Sequence, residues 1–357
     1  MNSSRVQAAQ DALARLIDPV TGQSWSASKQ VRRVAEEDGT LCVDIELGYP
    51  GRSLHAGIAA ELGRELDARV SVTQRITSHQ VQRGLTPLPG VRNIIAVASG
   101  KGGVGKSTTA ANLALALHAE GARVGLLDAD IYGPSIPLMM GVSGRPEVVD
   151  GKSMEPLMAH GLQVMSIGFL VPEDQAMIWR GPMATGALEQ LLRQTNWQDL
   201  DYLVIDLPPG TGDIQLTLAQ RVPVTGALIV TTPQDVALID AKKAVRMFEK
   251  VSVPILGLVE NMAIYCCPNC GHQEAIFGAD GGKAMAEQMK LSYLGALPLQ
   301  RAIREQSDAG TPPVVAEPQG PAAQLYLQLA RQAAVAVARL VKDYSGRIPA
   351  IKVSSST

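Results

Sequence analysis

Three clusters of residues carry the chemistry available to this chain. The first is the run Ser99, Gly100, Lys101, Gly102, Gly103, Val104, Gly105, Lys106, Ser107, Thr108, which follows the apolar stretch Ile94–Ala98 and precedes a helical stretch, 109–119. Strand, G-x-x-x-x-G-K-S, helix is the context in which a glycine-rich turn cradles phosphate. The glycines let the backbone curl, so that successive N–H groups converge on phosphate oxygens at a helix N-terminus. Lys106 then brings a point charge to the β and γ phosphates, and the Ser107 hydroxyl can ligate Mg2+. A purely structural turn is the alternative, and the flanking elements weigh against it.

The second cluster is acidic. Asp128 and Asp130 end one apolar run, and Asp206 ends another just before Leu207, Pro208, Pro209 and Gly210. Carboxylates at strand ends that face a phosphate loop can hold Mg2+ through water and orient an attacking water. We assign Asp206 to the Mg2+ shell, Asp130 to the attacking water or Mg2+, and Asp128 to a structural or supporting role. Each could instead cap a helix or turn. Lys101 lies just after the first glycine and is not needed to cradle phosphate within one chain. Asn261, after the strand-like run 255–259, is a candidate to read an adenine edge, with a turn-forming Asn as the alternative.

The third cluster is Cys266, Cys267, Pro268, Asn269, Cys270, Gly271, His272. C-x-x-C spacing lets Cys267 and Cys270 grip one metal centre, and such centres commonly need four ligands. The chain has no second C-x-x-C. The remaining ligands could be Cys266 and His272, as in a zinc knuckle, or a second copy of the loop across a two-fold axis, which symmetry favours. Spacing alone divides evenly between zinc and iron–sulfur, with a redox pair a distant third because strand-to-helix context is absent. Cys42, in a strand-like stretch of another unit, reads as a core residue.

The elements that must position these clusters follow from periodicity. Short apolar strands at Ile94–Ala98, Arg123–Leu127, Tyr202–Ile205, Ala227–Thr231 and Ile255–Val259 alternate with helical segments. This predicts an α/β fold with a mostly parallel sheet flanked by helices, ligands binding at the strands' carboxyl ends. A hairpin is expected within 148–168, and a closing helix at 320–342. Residues 1–78 read as a small α+β domain: helices at 4–17 and 54–67, strands at 30–35, 41–47 and 69–77. Residues 79–90 read as a linker, 91–342 as the phosphate-loop domain and 343–357 as a frayed tail.

Composition sets the outer bounds. At 357 residues, two or more domains are expected, and 46% hydrophobic residues suffice for packed cores. The net charge of −2 gives no global attraction to nucleic acid or an anionic membrane. No apolar run approaches a membrane span, and the start is unlike a signal peptide. A cytoplasmic protein is expected, with its four cysteines reduced.

SGKGGVGKST resembles the "deviant Walker" ATPases, a resemblance that implies a homodimer in which Lys101 reaches the partner's nucleotide. From about Val91 to Pro318 the chain is similar to the Mrp/ApbC family of iron–sulfur cluster carrier ATPases. The likeness is carried by that loop with LLDADIYGPSIP, WRGPM at 179–183, DLPPGTGDIQLTLAQ, TTPQDVALIDAKKA, VENM at 259–262 and CPNCG at 267–271. Residues 1–78 resemble, more weakly, the small domain of iron–sulfur assembly proteins. The resemblance implies a cytosolic homodimer that binds ATP and a [4Fe–4S] cluster bridged by Cys267 and Cys270 of both copies. It would pass that cluster, received from assembly scaffolds, to apo iron–sulfur proteins, with neither nucleic acid nor membrane as partner. A ParA/MinD-type positioning ATPase and a zinc-stapled regulatory NTPase are the rival readings. A nitrogenase-iron-protein type would space its cysteines far apart.

Overall fold

A computed structural model describes residues 4–170 and 181–343. Trp179 and Arg180 of the WRGPM segment, and the tail from residue 344, lie outside the described residues.

The chain opens with helix α1 (Ser4–Leu13), strands β1 (Val31–Glu37) and β2 (Thr40–Leu47), helix α2 (His55–Leu66) and strand β3 (Ala68–Gln74). β1 and β2 pair antiparallel across the Asp38-Gly39 turn, where both residues take positive φ. α2 returns the chain so that β3 lies parallel to β2. The first helix is shorter than expected, because the chain turns after Leu13 to bury Trp25 and Asp18; Asp18 accepts bonds from the Tyr49 hydroxyl and Gln30.

The second unit begins with β4 (Ile94–Ala98), α3 (Lys106–Ala119), β5 (Val124–Asp128) and the one-turn α4 (Ile136–Met139). The region expected to hold one hairpin holds two: β6 (Val148–Val149) with β7 (Ser153–Met154), and β8 (Leu157–Ala159) with β9 (Leu162–Ser166). Then follow α5 (Gly181–Gln194), β10 (Tyr202–Asp206), α6 (Asp213–Arg221), β11 (Gly226–Thr231), α7 (Asp235–Lys250) and β12 (Ile255–Glu260). A two-strand hairpin, β13 (Tyr265–Cys266) with β14 (Gln273–Glu274), precedes α8 (Gly281–Met289), β15 (Tyr293–Ala296), α9 (Arg301–Asp308), α10 (Pro313–Ala316) and α11 (Pro321–Ala338).

The main sheet has the order β15-β12-β11-β4-β10-β5-β9-β8 and is parallel throughout except for β8 at one edge. β4, β5, β10 and β11 are buried at every position, as their continuous aliphatic runs require of strands covered on both faces. Because these strands are parallel, the loops after β4, β5, β10 and β12 leave from one edge of the sheet. β15 was missed, since Tyr293–Ala296 is short and carries a glycine.

Helix α3 is buried along most of its length, packed between sheet and α11. It reaches from the phosphate loop to the N-terminal unit. Its C-cap residue, Glu120, is fully buried and accepts bonds from the Ser53 hydroxyl (2.8 Å), the Ser53 N–H (3.0 Å) and Arg331 Nε (2.8 Å). The stretch expected as a linker is a pinned strap: Gln80 N–H donates to Val341 and Asp343 N–H to Ser78, with His79 and Leu88 buried. Among the described residues no helix is long and apolar enough to cross a membrane.

Candidate functional site

The run after β4 forms the floor of a cavity of about 210 Å³ lined by Lys101, Gly102, Gly103, Gly105 and Lys106 through Thr108. Two glycines explain why the loop can sit there. A Cβ on Gly100 would lie 2.1 Å from the Asp240 carbonyl carbon, so only glycine lets the loop pack against α7. Gly105 has φ +79, and a Cβ there would lie 2.1 Å from Asn261 Nδ2. Ser135, Met139 and Pro209 also line the cavity and were not singled out from sequence. Their signal is modest: Ser135 and Pro209 stand in Pro- or Gly-marked loops after Asp-ended strands, and Met139 ends the one-turn α4.

The acidic residues converge on Lys106 from two other strand ends. Lys106 Nζ donates to Asp206 Oδ1 at 2.6 Å, lies 3.2 Å from Ser107 Oγ, and is 3.8 Å from Asp130 Oδ2. Asp206 Oδ2 is buried with no hydrogen-bond partner among the described residues. An orphaned carboxylate oxygen beside a serine hydroxyl fits a hard cation with oxygen ligands. Burial raises the proton affinity of Asp206 and of Asp130, against the opposing pull of the Lys106 charge. Asp128 is pushed up to about 7 by burial and then by the neighbouring Asp206 charge. Its oxygens accept from Asp130 N–H, Ile136 N–H and the Ser166 hydroxyl, at 3.1, 3.1 and 3.2 Å, which holds the loop after β5 in shape.

Asn261 stands beside the loop. Its Nδ2 donates to the Val104 carbonyl at 2.8 Å, so one N–H of the side-chain amide is committed to the loop's own backbone.

The cysteines form a separate feature. β13 and β14 make a narrow hairpin, closed by Cys267 N–H to the His272 carbonyl and Gly271 N–H to the Cys267 carbonyl, both 2.9 Å. Gly271 takes φ +72, which the tight turn requires. Cys270 is exposed and Cys266 and Cys267 are partly so. The N–H groups of Asn269 and Cys270, and then the Cys270 thiol, lower the Cys267 pKa, favouring the thiolate, the form of cysteine able to ligate a metal. Among the described residues no group of three or more His, Cys, Asp or Glu side chains could hold a metal ion. Cys42 is buried in β2, with Arg69 Nη2 3.3 Å from its sulfur.

A larger cleft, about 980 Å³, lies at the seam between the N-terminal unit and the strap and contains none of these residues. Residue chemistry rather than size marks the phosphate site.

Comparison with known proteins bears on both units. A family described as "NUBPL iron-transfer P-loop NTPase" matches residues 90–334, and one described as "Iron-sulfur cluster assembly protein" matches residues 6–73. The chain is 52% identical over 330 residues to the iron–sulfur cluster carrier protein of Escherichia coli K12, covering 90% of this chain and 89% of that one. It is 49% identical over 300 residues to mouse iron–sulfur cluster transfer protein NUBPL, covering 80% and 94%. Among solved structures, an Archaeoglobus fulgidus nucleotide-binding protein in complex with ADP superposes with a TM-score of 0.57 at 40% identity, covering 65% of this chain and 90% of that one. The cell division ATPase MinD of Pyrococcus furiosus superposes with a TM-score of 0.52 at 25% identity, covering 67% and 97%.

Proposed function

The chain belongs to the NUBPL iron-transfer P-loop NTPase family, and we propose that it is an ATP-dependent carrier that holds a [4Fe–4S] cluster between two copies of itself and passes it to apoproteins. The observation that carries the reading is the solvent-accessible Cys267–Cys270 pair, Cys270 exposed and Cys267 partly so: a two-thiolate half-site, six residues past a turn that touches the phosphate loop.

In this reading ATP lies on the loop 100–108, with Lys106 drawn from Asp206 onto the β and γ phosphates. Ser107 and Asp206 would hold Mg2+, which supplies charge neutralisation at those phosphates. Asp130 orients the attacking water. Lys101 enters the partner's site and stabilises charge developing on the transferred phosphoryl group. Asn261 retains its amide oxygen to accept from an adenine amine. Exposed apolar side chains in the segment after β5 (Tyr132 and Leu138) and on α7, which packs on the loop at Gly100 (Val236 and Ile239), support a second copy closing over the site. The cluster is cargo. Two thiolates from each copy complete its four-ligand shell, and separation of the copies opens it to a recipient.

The working location is the cytosol, where thiols stay reduced. Cluster scaffolds and apo iron–sulfur proteins are the partners; the near-zero net charge offers no general attraction to nucleic acid or membrane. The test is anaerobic reconstitution of the full-length chain. About four iron and four sulfide per dimer, with thiolate-to-iron charge-transfer absorption, are expected for wild type and lost in Cys267→Ser. A colourless, zinc-loaded monomer would overturn the carrier reading.

A further inference from the structure

The turn between β12 and the cysteine hairpin is fastened to the phosphate loop. The bond from Asn261 Nδ2 to the Val104 carbonyl is 2.8 Å, and Asn261 is only 7% exposed, so water does not compete for it. Met262 follows, its Cε 3.7 Å from where a Gly105 Cβ would stand. The Val104 C=O and the Gly105 N–H belong to one planar peptide unit, which rotates as a rigid plate. Asn261 thus holds one edge of that plate. The opposite edge is one of the N–H groups that such a loop offers to phosphate.

Beyond the turn the chain has no slack before the cysteines. Met262 sits in the left-handed region at φ +57, a conformation that such a side chain keeps only where its surroundings hold it. Ala263 N–H donates to Leu297 at 3.0 Å, Leu299 N–H donates to Ile264 at 2.8 Å, and Tyr265 bridges Leu299 in parallel register. β13 then leads directly into Cys267. A movement of the 104–105 peptide is therefore passed along the backbone rather than absorbed by a loose loop.

We infer that Asn261 and Met262 are positioning residues that set the pose of the Cys267–Cys270 pair according to whether phosphate occupies the loop. The purpose of this link rests on the carrier reading; the link itself belongs to the cluster-free chain and is measured there.

The experiment follows site-resolved alkylation of Cys267 and Cys270 by a maleimide, using full-length cluster-free protein without nucleotide, with ADP and with ATP, each at directly verified saturation. In wild type, ATP changes the rate about fivefold or more, and in Asn261→Asp, whose carboxylate cannot donate to Val104, the change falls below about twofold. Met262→Gly keeps the Asn261 bond but frees the corner; it loses the response equally while still hydrolysing ATP. A wild-type rate indifferent to nucleotide, or a full response in either variant, overturns the inference. Failed cluster reconstitution overturns the carrier reading instead and leaves the alkylation result standing.

Discussion

At the scale of single residues, burial decides more than motif membership does. Lys106, Asp206 and Asp128 are all buried; Lys106 lies against Asp206, while Asp128, whose proton affinity burial raises, is held by three donors. The same logic identifies a residue outside the site. His79 is 3% exposed, and its Nδ1 lies 2.9 Å from Asn93 Oδ1, so the proton sits on Nδ1 and Nε2 is left as a buried acceptor. Burial, helped by the Lys342 charge, lowers its pKa below the ordinary 6.5, against the pull of the Asn93 bond. A histidine so depressed stabilises the fold at pH above the unfolded value and loses that contribution as pH falls, because the unfolded chain takes up the proton first. Thermal melts between about pH 7 and 5 should show wild type losing stability more steeply than His79→Gln. Parallel curves would mean that His79 is not the neutral buried group described.

At the scale of elements, α3 is the member shared by the two units. Its N-terminal turn carries Lys106 and Ser107, and its C-cap carries Glu120, whose side chain is bound by Ser53 and Arg331 and whose carbonyl accepts from Arg52 N–H and Gln74. Removing one partner of a buried ion pair leaves the other charge uncompensated, so Glu120→Ala should cost about 3–5 kcal/mol by chemical denaturation. It should also speed proteolysis within the N-terminal unit. A loss inside the range of an exposed ion pair, about 0–1 kcal/mol, would show that Arg331 and Ser53 find water instead. The cysteine hairpin is a contrasting element: two residues per strand, an exposed tip and no apolar face of its own. Its pose depends on its root, which is why the Asn261–Met262 turn matters.

At the scale of the molecule, the proposed assembly makes a prediction that no monomeric enzyme would satisfy. Were Lys101 to act across the interface, Lys101→Ala alone would bind nucleotide yet hydrolyse it roughly 10³-fold more slowly, the low end for a supplied cationic finger. Mixing that variant with inactive Lys106→Ala should restore activity. The first keeps an intact phosphate loop and the second lends its Lys101, so one site of each mixed dimer is complete. Turnover no higher than the sum of the separate variants would place Lys101 in its own chain's site or nowhere.

The phosphate loop, the buried strands and the cysteine pair were legible in the sequence because each is encoded within about ten contiguous residues: glycine spacing, unbroken aliphatic runs, C-x-x-C. Helix ends were less legible; α1 stops at Leu13 because Asp18 and Trp25 fold back, Asp18 to be bound by Gln30 and by Tyr49, a partner 31 residues further along. The short edge strand β15, the second hairpin feeding β9 into the sheet and the strap 78–90 escaped for the same reason. Sequence alone determined which chemistries the chain can attempt. Only the tertiary structure brought Asp206 to Lys106 across a hundred positions, committed the Asn261 amide to Val104 and buried Glu120 beneath Ser53, because strand order and burial are settled by contacts between distant segments that no local pattern encodes.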